Sequence, residues 1–473
     1  LDVLEDGWST LHVDFQRTIP VRHQASGLYD LTAGACVLGD VDRRTLHYCR
    51  LPQKPDDAVE WSHIPVGHQM VDFGLALHEH DLIAVLTLSP HAQHPDCCMV
   101  ELRLLQFSTG NAHPLAQTPV LFVEASDWAH PAVLIEIVGD HLVLVMTHAF
   151  LHFQPLLSDR LYVYNWKTGT LKMAAYLPCQ TYHGVIFLSP TVLCLPNKRM
   201  NTLDVWLIPD DSVVRPNSPL PPLKPFLYIG LPPLSRTHIL LTSLCRAEPN
   251  PAPSGTPYSR QPSHPAPADA IAVFSVRGVH RATMHTDTFT LFVHRRSLLR
   301  LVRARHPDHS ARAVAAHPLA HVPWDQWGAQ SARMFAATPS ALAWITTTAG
   351  QRCAVDLTRP WEDDDDDDEG SAAREQTVTV LDFNPGAVRR LCDADDPSVV
   401  VHLDESVIEH EMFEEPVKTC LPYVSRVLSL KNDSDVPFKG VLLDEERLLG
   451  IKVRNFVPCR TSVDGDVSST TKI

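Results

Sequence analysis

The strongest constraint on the fold of this chain is a unit that occurs twice in its first third. In the first copy, Asp81–Thr87 (DLIAVLT) is followed by a polar loop and then by Val100–Gly110 (VELRLLQFSTG). In the second copy, about sixty residues later, His141–Thr147 (HLVLVMT) is followed by a loop and then by Arg160–Gly169 (RLYVYNWKTG). Each copy reads as a buried strand, a reversal, a half-exposed strand and a turn that ends in Thr-Gly. Repetition on this scale is typical of a β-propeller, in which each blade buries its faces only against its neighbours.

Strand patterns continue along nearly the whole chain. Paired runs rich in β-branched and aromatic residues, bounded by Gly, Pro, Asn and Asp, recur between residues 28 and 453. At about 40–45 residues per blade, they predict an all-β fold. The predicted architecture is a single β-propeller-like domain of six to seven blades over residues 16–460. We expect the last strands, in Leu442–Val453, to pair with the first, because an open propeller leaves two exposed strand edges.

Helical spacing is confined to the start of the chain. Four residues share one helix face: Leu1, Leu4, Trp8 and Leu11. We therefore predict a short helical entry segment over residues 1–15 and nearly no helix after it.

Three segments lack the apolar content that would offset the entropy lost on ordering. They are disordered insertions near residues 247–268 and 361–376, and a polar tail over residues 461–473. The insertions are interpreted as loops within one ring, since strand pairs continue on both sides of each. A division into two domains near residues 247–268 is the alternative.

Composition and charge narrow the classes of partner. The chain has 473 residues, of which 44% are hydrophobic, so it can bury a large core. Its net charge is −15, but eight of the acids form one run, Glu362–Glu369 (EDDDDDDE). A nucleic-acid partner is not expected, because no basic face of any length is present. The apolar runs are too short to span a bilayer, so no membrane partner is expected either.

Cysteine usage points to a reducing compartment. The eleven cysteines are scattered, several lie inside apolar strands (Cys36, Cys49 and Cys194), and no C-x-x-C occurs. This pattern indicates reduced thiols in an intracellular protein, cytoplasmic or nuclear. No signal peptide is visible, and the first residue is Leu1 rather than methionine, so we expect that a segment upstream of it is missing.

One loop contains four potential metal ligands, His91, His94, Cys97 and Cys98. Zinc would need four ligands that converge tetrahedrally, normally from two separated pairs. The two cysteines lead into a strand, where neighbouring side chains point to opposite faces. This favours a polar connection between two strands of a blade.

Other polar clusters also favour structural interpretations. His78–Asp81 (HEHD) stands where Val138–His141 (VGDH) stands in the second copy, which favours turn chemistry over acid–base chemistry. The acidic run Glu362–Glu369 favours a solvated spacer, with attraction of a basic partner as the alternative. The basic cluster His294–Arg296 is too short to indicate a polyanion partner. The nine tryptophans are interpreted as packing residues, with binding anchors on one ring face as the alternative for some.

No catalytic motif is present in the sequence. G-x-S-x-G, H-E-x-x-H and a P-loop are all absent. We therefore predict that the chain is not an enzyme, and we assign no catalytic, cofactor-binding or metal-ligating residue and no cofactor. An enzyme with a site in the propeller channel is the alternative.

Four segments together resemble a known family. They are Leu1–Phe15, Leu161–Gly169 (LYVYNWKTG), Val322–Gly328 (VPWDQWG) and Leu442–Lys452 (LLDEERLLGIK), of which the last two are the most specific. They are similar to the basidiomycete-fungal F-box proteins, in which a short F-box helical domain precedes a long β-rich, propeller-like region. The Pro-led, Leu-rich F-box itself is absent from these residues.

The resemblance implies the substrate-binding part of an F-box subunit of a cullin-type ubiquitin ligase. A protein substrate would bind the propeller loops, and the ubiquitin-ligase adaptor would bind the missing F-box. No residue of this chain is therefore assigned to adaptor binding. A propeller interaction scaffold unrelated to ubiquitination is the alternative.

Overall fold

The architecture consists of short strands joined mostly by tight turns. The computed structural model describes residues 7–8, 11, 13–32, 34–94, 97–126, 131–148, 158–209, 224–251, 269–305, 319–336, 346–356, 376–392, 398–430, 438–459 and 462–472. The strands are β1 (Phe15–Pro20), β2 (Ala25–Thr32), β3 (Ala35–Asp40), β4 (Thr45–Arg50), β5 (Trp61–Pro65), β6 (Gln69–Ala76), β7 (Leu82–Pro90), β8 (Cys98–Gln106), β9 (Val120–Ser126), β10 (Ala132–Val138), β11 (His141–Thr147), β12 (Ser158–Asn165), β13 (Thr170–Pro178), β14 (Ile186–Ser189), β15 (Val192–Asn197), β16 (Thr202–Leu207), β17 (Leu227–Gly230), β18 (His238–Arg246), β19 (Ile271–His280), β20 (Thr286–His294), β21 (Ala320–Val322), β22 (Ala332–Ala336), β23 (Thr348–Ala349), β24 (Arg352–Asp356), β25 (Gln376–Asp382), β26 (Val399–His402), β27 (Ser406–Ile408), β28 (Val417–Thr419), β29 (Tyr423–Leu430), β30 (Phe438–Leu443), β31 (Arg447–Cys459) and β32 (Ser462–Lys472). The helices are α1 (Leu77–His80), α2 (Arg295–Arg305), α3 (Gly328–Ser331) and α4 (Pro385–Leu391), with a 3-10 turn at Trp324–Gln326.

Most of the strands form seven sheets of four or five strands, which we number as blades. Blade 1 holds β2–β5, blade 2 β6–β9, blade 3 β10–β13, blade 4 β14–β17 with β21, blade 5 β18–β20 with β22, blade 6 β23–β26 with β29, and blade 7 β30–β32 with β1. Paired strands within the blades are antiparallel except β17 and β21, which are parallel, while β27 and β28 form a separate pair. The predicted all-β propeller of six to seven blades is confirmed, with seven blades in the described ranges.

The hydrophobic core lies between blades, and β11 shows why its sequence is apolar at nearly every position. Leu142, Leu144 and Met146 pack in a cluster shared with blade 2. Val143 and Val145 pack in a different cluster, shared with blade 4. Successive side chains of a strand point to opposite faces, so a strand with a blade on each side is buried on both. The interpretation of this run as a buried strand is confirmed.

The two Thr-Gly turns of the repeated unit have the same geometry. Gly110 and Gly169 have φ values of +70° and +75°, in the left-handed region that glycine adopts at low cost. The Gly110 N–H donates to the Gln106 carbonyl, and the Gly169 N–H donates to the Asn165 carbonyl. The sequence repeat therefore corresponds to the second strand, the third strand and the following turn of blades 2 and 3.

The first and last strands of the described chain meet in blade 7. β1 pairs antiparallel with β32, which places Phe15 opposite Lys472 and Arg17 opposite Thr470. β31 and β30 continue the same sheet. Ring closure by the first strand is confirmed, although its direct partner is β32 and not the predicted Leu442–Val453.

The prediction of a disordered polar tail over residues 461–473 is wrong for the described residues, because Ser462–Lys472 forms β32. This strand lies between β1 and β31. A strand with neighbours on both sides satisfies its backbone N–H and C=O groups in the sheet, so it does not need an apolar sequence to be ordered.

Helix α2 contradicts the expectation of nearly no helix after residue 15. Its buried residues are Arg295, Leu298, Leu299 and Val302. These positions follow the i, i+3, i+4 and i+7 spacing of an amphipathic helix, and the interleaved arginines conceal that spacing in a basic run.

At the start of the chain, residues 7–8 are helical, while residues 1–6 of the predicted entry helix lie outside the described residues. None of the helices in the described ranges has the length and apolar content needed to cross a bilayer.

The insertion near residues 247–268 lies within one sheet. β18 and β19, on either side of it, pair directly with each other, so no domain boundary falls there. Residues 252–268 lie outside the described residues. Residues 247–251 are described and mostly half-buried, so the prediction of disorder is wrong for them. Of the 361–376 insertion only Gln376 is described, as the first residue of β25.

Candidate functional site at the mouth of the channel

In four of the blades, the first strand has an ionisable residue that faces the central channel. They are Asp30 on β2, Asp72 on β6, Glu136 on β10 and Arg246 on β18, and each carboxyl group interacts electrostatically with Arg246. Asp30 Oδ1 accepts the N–H of the next residue at 2.8 Å, and Asp72 Oδ1 does the same. Both aspartates therefore make the same local hydrogen bond, in the first strands of successive blades.

Arg246 reaches across the channel. Its Nη2 lies 3.2 Å from Asp30 Oδ1 on blade 1 and 3.6 Å from Glu248 Oε1. The three side chains keep between 15% and 26% of their surface exposed, which shows that solvent reaches them. Because 216 residues separate Arg246 from Asp30 in the sequence, this ion pair joins blade 5 to blade 1.

The chain after Arg246 is fixed by a second arginine. Arg295, which begins α2 and is fully buried, donates from Nη1 to the Pro249 carbonyl at 2.8 Å. It also donates from Nη2 to the Ala247 carbonyl at 2.6 Å. This arginine of the predicted basic cluster is therefore committed to the backbone of the channel segment.

Two further hydrogen bonds connect this segment to blades 3 and 6. The Gly350 N–H, just after β23, donates to the Glu248 carbonyl at 2.8 Å. Asn250 Nδ2 donates to Glu136 Oε2 on blade 3 at 2.7 Å. Residues 247–250 thus run across the end of the channel and are held from three sides.

The enclosed position changes the acidity of the carboxyl groups. Burial raises the pKa of Glu248 to about 8, although the charge of Arg246 opposes the shift. Burial likewise raises the pKa of Asp72 to about 7, opposed by the hydrogen bond from the Phe73 N–H. Burial also raises the pKa of Glu136, and the charge of Arg246 opposes this rise. At neutral pH the channel is therefore less negative than its carboxyl groups would be in water.

A cavity of about 80 Å³ opens at this end of the channel, and we call it the channel-mouth cavity. Its walls come from blades 1, 2, 3, 6 and 7 and from residues 248–250. The exposed His78 at its edge shows that it opens to solvent. Its described lining includes four carboxyl groups and no lysine or arginine. The four are Glu79, Glu248, Asp444 and Glu445.

Two hydroxyl groups in the wall of the channel-mouth cavity lack partners. Thr346 and Thr348 are 2% and 3% exposed, and neither Oγ1 has a hydrogen-bond partner within the described part of the chain. Native structures pair nearly all buried polar groups, because an unpaired one costs free energy. The two unpaired hydroxyls on one wall therefore indicate that this cavity binds a ligand that forms hydrogen bonds with them.

The structure places the predicted turn at His78–Asp81 beside this cavity. Residues 77–80 form α1, and Asp81 ends it with a φ of +56°. Asp81 Oδ1 accepts the Ser108 N–H at 3.0 Å, so the turn interpretation is confirmed for this residue. His78 and Glu79 line the channel-mouth cavity. The comparison of the two repeat copies did not predict this role.

The histidine–cysteine loop joins β7 to β8, as predicted. His91 Nδ1 accepts the N–H groups of Gln93 and His94, each at 3.2 Å, so it closes its own turn. Cys97 donates its N–H to the His94 carbonyl, and Cys98 begins β8. In the ranges that the structure describes, no three His, Cys, Asp or Glu side chains form a group that could hold a metal ion.

The described tryptophans are mostly packing residues, as predicted. Four are buried, and each indole N–H donates a hydrogen bond: Trp8, Trp166, Trp206 and Trp327. Two are half-buried: Trp61 and Trp324. Outside the described residues lie Trp128, Trp344, Trp361 and the acidic run Glu362–Glu369.

Sequence reasoning missed Arg246, Glu248 and the two threonines. The available signal was the acids that interrupt the apolar first strands, Asp72 in β6 and Glu136 in β10. An acid inside a strand with two buried neighbours indicates a position that faces a polar interior.

Several solved structures have low similarity to nearly the whole chain. BamB from Moraxella catarrhalis is 9% identical, with 97% of this chain and 99% of that chain covered and a TM-score of 0.35. The C-terminal WD40 domain of Sif2 is 8% identical, with 98% and 99% covered and a TM-score of 0.35. The β-propeller domain of the Trilobed protease from Pyrococcus furiosus is 7% identical, with 95% and 93% covered and a TM-score of 0.33. No protein-family model and no curated protein matches the chain. At these TM-scores the similarities carry no argument of their own, and the propeller assignment rests on the seven sheets.

Proposed function

We propose that this protein is a recognition module for other proteins, and that it forms the substrate-binding part of an F-box subunit of a cullin-type ubiquitin ligase. The observation that supports recognition is the channel-mouth cavity, where unpaired buried hydroxyls and carboxyl groups lie at one end of a closed ring. A rigid ring that holds its loops at fixed positions is typical of interaction modules. We propose an intracellular location, and catalysis would belong to other subunits.

The ligase part of the proposal is supported by the sequence resemblance alone. In Val322–Gly328, the Trp327 indole N–H donates to the Gly230 carbonyl at 2.9 Å, which fixes the motif against blade 4. In Leu442–Lys452, Arg447 forms a buried ion pair with Asp444 at 3.0 Å. Both motifs serve packing in this chain, so we assign no residue of either motif to adaptor binding.

The test compares the full-length gene product with the 473-residue ring in the native host. The adaptor and a cullin should co-purify with the full-length product and not with the ring, whereas client proteins should bind both. A reconstituted ligase should then ubiquitinate those clients only when the ring is attached.

Two results would separate the alternatives. Clients that bind without any adaptor in the full-length complex would replace the ligase role with an interaction scaffold. If the ring binds none of the clients that the full-length product binds, the proposed recognition function is wrong.

A further inference from the structure

We propose that the channel-mouth cavity binds the primary ammonium group of a lysine side chain from a protein partner. This inference rests on the proposed recognition function and specifies the chemistry that is recognised.

The acceptor groups of the cavity wall favour a ligand that donates hydrogen bonds. Of its four carboxyl groups, Asp444 is already paired with Arg447 at 3.0 Å, and Glu79 accepts the Gly139 N–H at 3.1 Å. Glu248 has a contact with Arg246 at 3.6 Å, longer than a hydrogen bond, and its carboxyl group has no hydrogen bond among the described residues. Its oxygens therefore keep the capacity to accept hydrogen bonds from a ligand.

The unpaired hydroxyls supply the remaining acceptors. Thr346 and Thr348 line the same cavity as Glu248, and the hydrogen bond between the Gly350 N–H and the Glu248 carbonyl holds these two parts of the wall together. An ammonium group has three donors and no acceptor. The carboxyl group of Glu248 ionises near its pKa of about 8. Once ionised, it and the two hydroxyl oxygens provide three acceptors, which matches that count.

The size and the apolar part of the wall favour a lysine side chain. About 80 Å³ is room for a small head group and not for a whole cofactor, whose sites are about 300–1,000 Å³. Leu31, Leu75 and Ile137 also line the cavity. Apolar side chains at such a mouth can contact the methylene stem while the ammonium group reaches the polar end.

The first test uses n-butylammonium as a probe and 1-butanol as its neutral match. Binding is followed by methyl NMR of Thr346, Thr348 and Leu443 in the intact chain. We expect saturable shifts with millimolar n-butylammonium and none with 1-butanol. A capped peptide with one central lysine should give the same shifts, whereas the peptide with norleucine in its place should not.

Two conservative variants locate the site. At pH 9, above the pKa of about 8 that burial gives Glu248, Glu248→Gln and Thr348→Val should each weaken n-butylammonium binding by about tenfold or more. The first variant removes a negative charge, and the second removes a hydroxyl acceptor for a charged donor. The matched controls, Glu60→Gln and Thr109→Val, change exposed residues elsewhere and should leave binding unchanged.

Equal responses to n-butylammonium and 1-butanol would overturn the inference, and this comparison needs no variant to fold. Binding of n-butylammonium without binding of the lysine peptide would assign the cavity to a free amine and would also overturn it. If the unsubstituted chain binds no n-butylammonium and Thr348→Val captures clients as well as that chain does, this inference is wrong and the recognition function still holds. Lysine-peptide binding by a ring that captures no client would instead remove the proposed function.

Discussion

Replacement of Arg246 by methionine tests whether the charges in the channel are coupled. Met keeps the apolar stem of the side chain and removes the guanidinium, which lies 3.2 Å from Asp30 and 3.6 Å from Glu248. The variant therefore leaves these carboxyl groups and Glu136 without their shared cation. The loss of stability should therefore depend on pH.

The magnitude follows from distance and exposure. Two unit charges about 4 Å apart attract by about 4 kcal/mol at an effective dielectric constant of about 20. The attraction is offset by the cost of desolvating Arg246, and the side chains keep 15–26% exposure, so solvent screens the pairs. We expect Arg246→Met to lower the free energy of unfolding by about 2 kcal/mol at pH 8.

The pH dependence has a definite sign. The pKa of Glu248 is raised by burial from 4.5 to about 8, so the folded protein binds a proton that the unfolded chain has lost. The stability contributed by this group therefore falls as pH rises from about 4.5 to 8. Without Arg246 the carboxyl pKa rises further and the fall steepens. The cost of Arg246→Met should shrink to about 1 kcal/mol at pH 5.

Urea unfolding followed by tryptophan fluorescence at pH 5 and pH 8 measures these differences. Arg246→Met measured in a Glu248→Gln background should cost about half as much at pH 8, because one of the two carboxyl groups within 4 Å of the guanidinium is gone. The control is Arg281→Met, an exposed arginine without an ion pair among the described residues. A cost that is the same at both pH values and is unchanged by Glu248→Gln would refute the coupling.

Three further stability predictions can be checked in the same urea assay. Burial raises the pKa of Asp72 to about 7, so Asp72→Asn should stabilise the protein by roughly 2 kcal/mol at pH 8, with a gain that grows between about pH 4 and 7; no gain at pH 8 would contradict the burial argument. Asp204 is buried and accepts hydrogen bonds from three side chains, so Asp204→Ala should cost about 3 kcal/mol, and a cost below about 1 kcal/mol would be inconsistent with that network. A Cβ on Gly74 would lie 2.6 Å from Ile135 Cγ2 and 2.8 Å from its carbonyl oxygen, so Gly74→Ala should cost about 2 kcal/mol by separating blades 2 and 3, whereas Gly7→Ala, which meets nothing within 4 Å, should cost little.

The fold could be predicted from the sequence wherever a strand is buried between two blades. β11 is apolar on both faces because each face contacts a different cluster, and that pattern is visible in one dimension. β32 could not be found this way, because backbone pairing with β1 and β31 holds it in place whatever its polarity. Helix α2 was missed because its arginines dominate the composition, although the buried spacing of Leu298 and Val302 is present.

The candidate site could not be predicted, because its parts come from distant stretches of chain. Arg246 and Asp30 are 216 residues apart, and no local pattern links them. Glu248 and Asn250 begin a Pro- and Ser-rich stretch, and that composition indicates disorder even though hydrogen bonds to Arg295 and Gly350 fix its first residues. Only the closed ring brings these groups together.

A designed crosslink between the first and last described strands tests whether the ring is closed. Arg17 and Thr470 lie opposite each other in β1 and β32, so Arg17→Cys with Thr470→Cys should form an intrachain disulfide under native conditions. The control pair, Arg17→Cys with Ser462→Cys, places the thiols roughly 25 Å apart along β32 and should not crosslink. Tryptic mass spectrometry should find the 17–470 crosslink in folded protein and not in urea. A folded variant that lacks this crosslink, or that forms it only between two molecules, would contradict closure of the propeller.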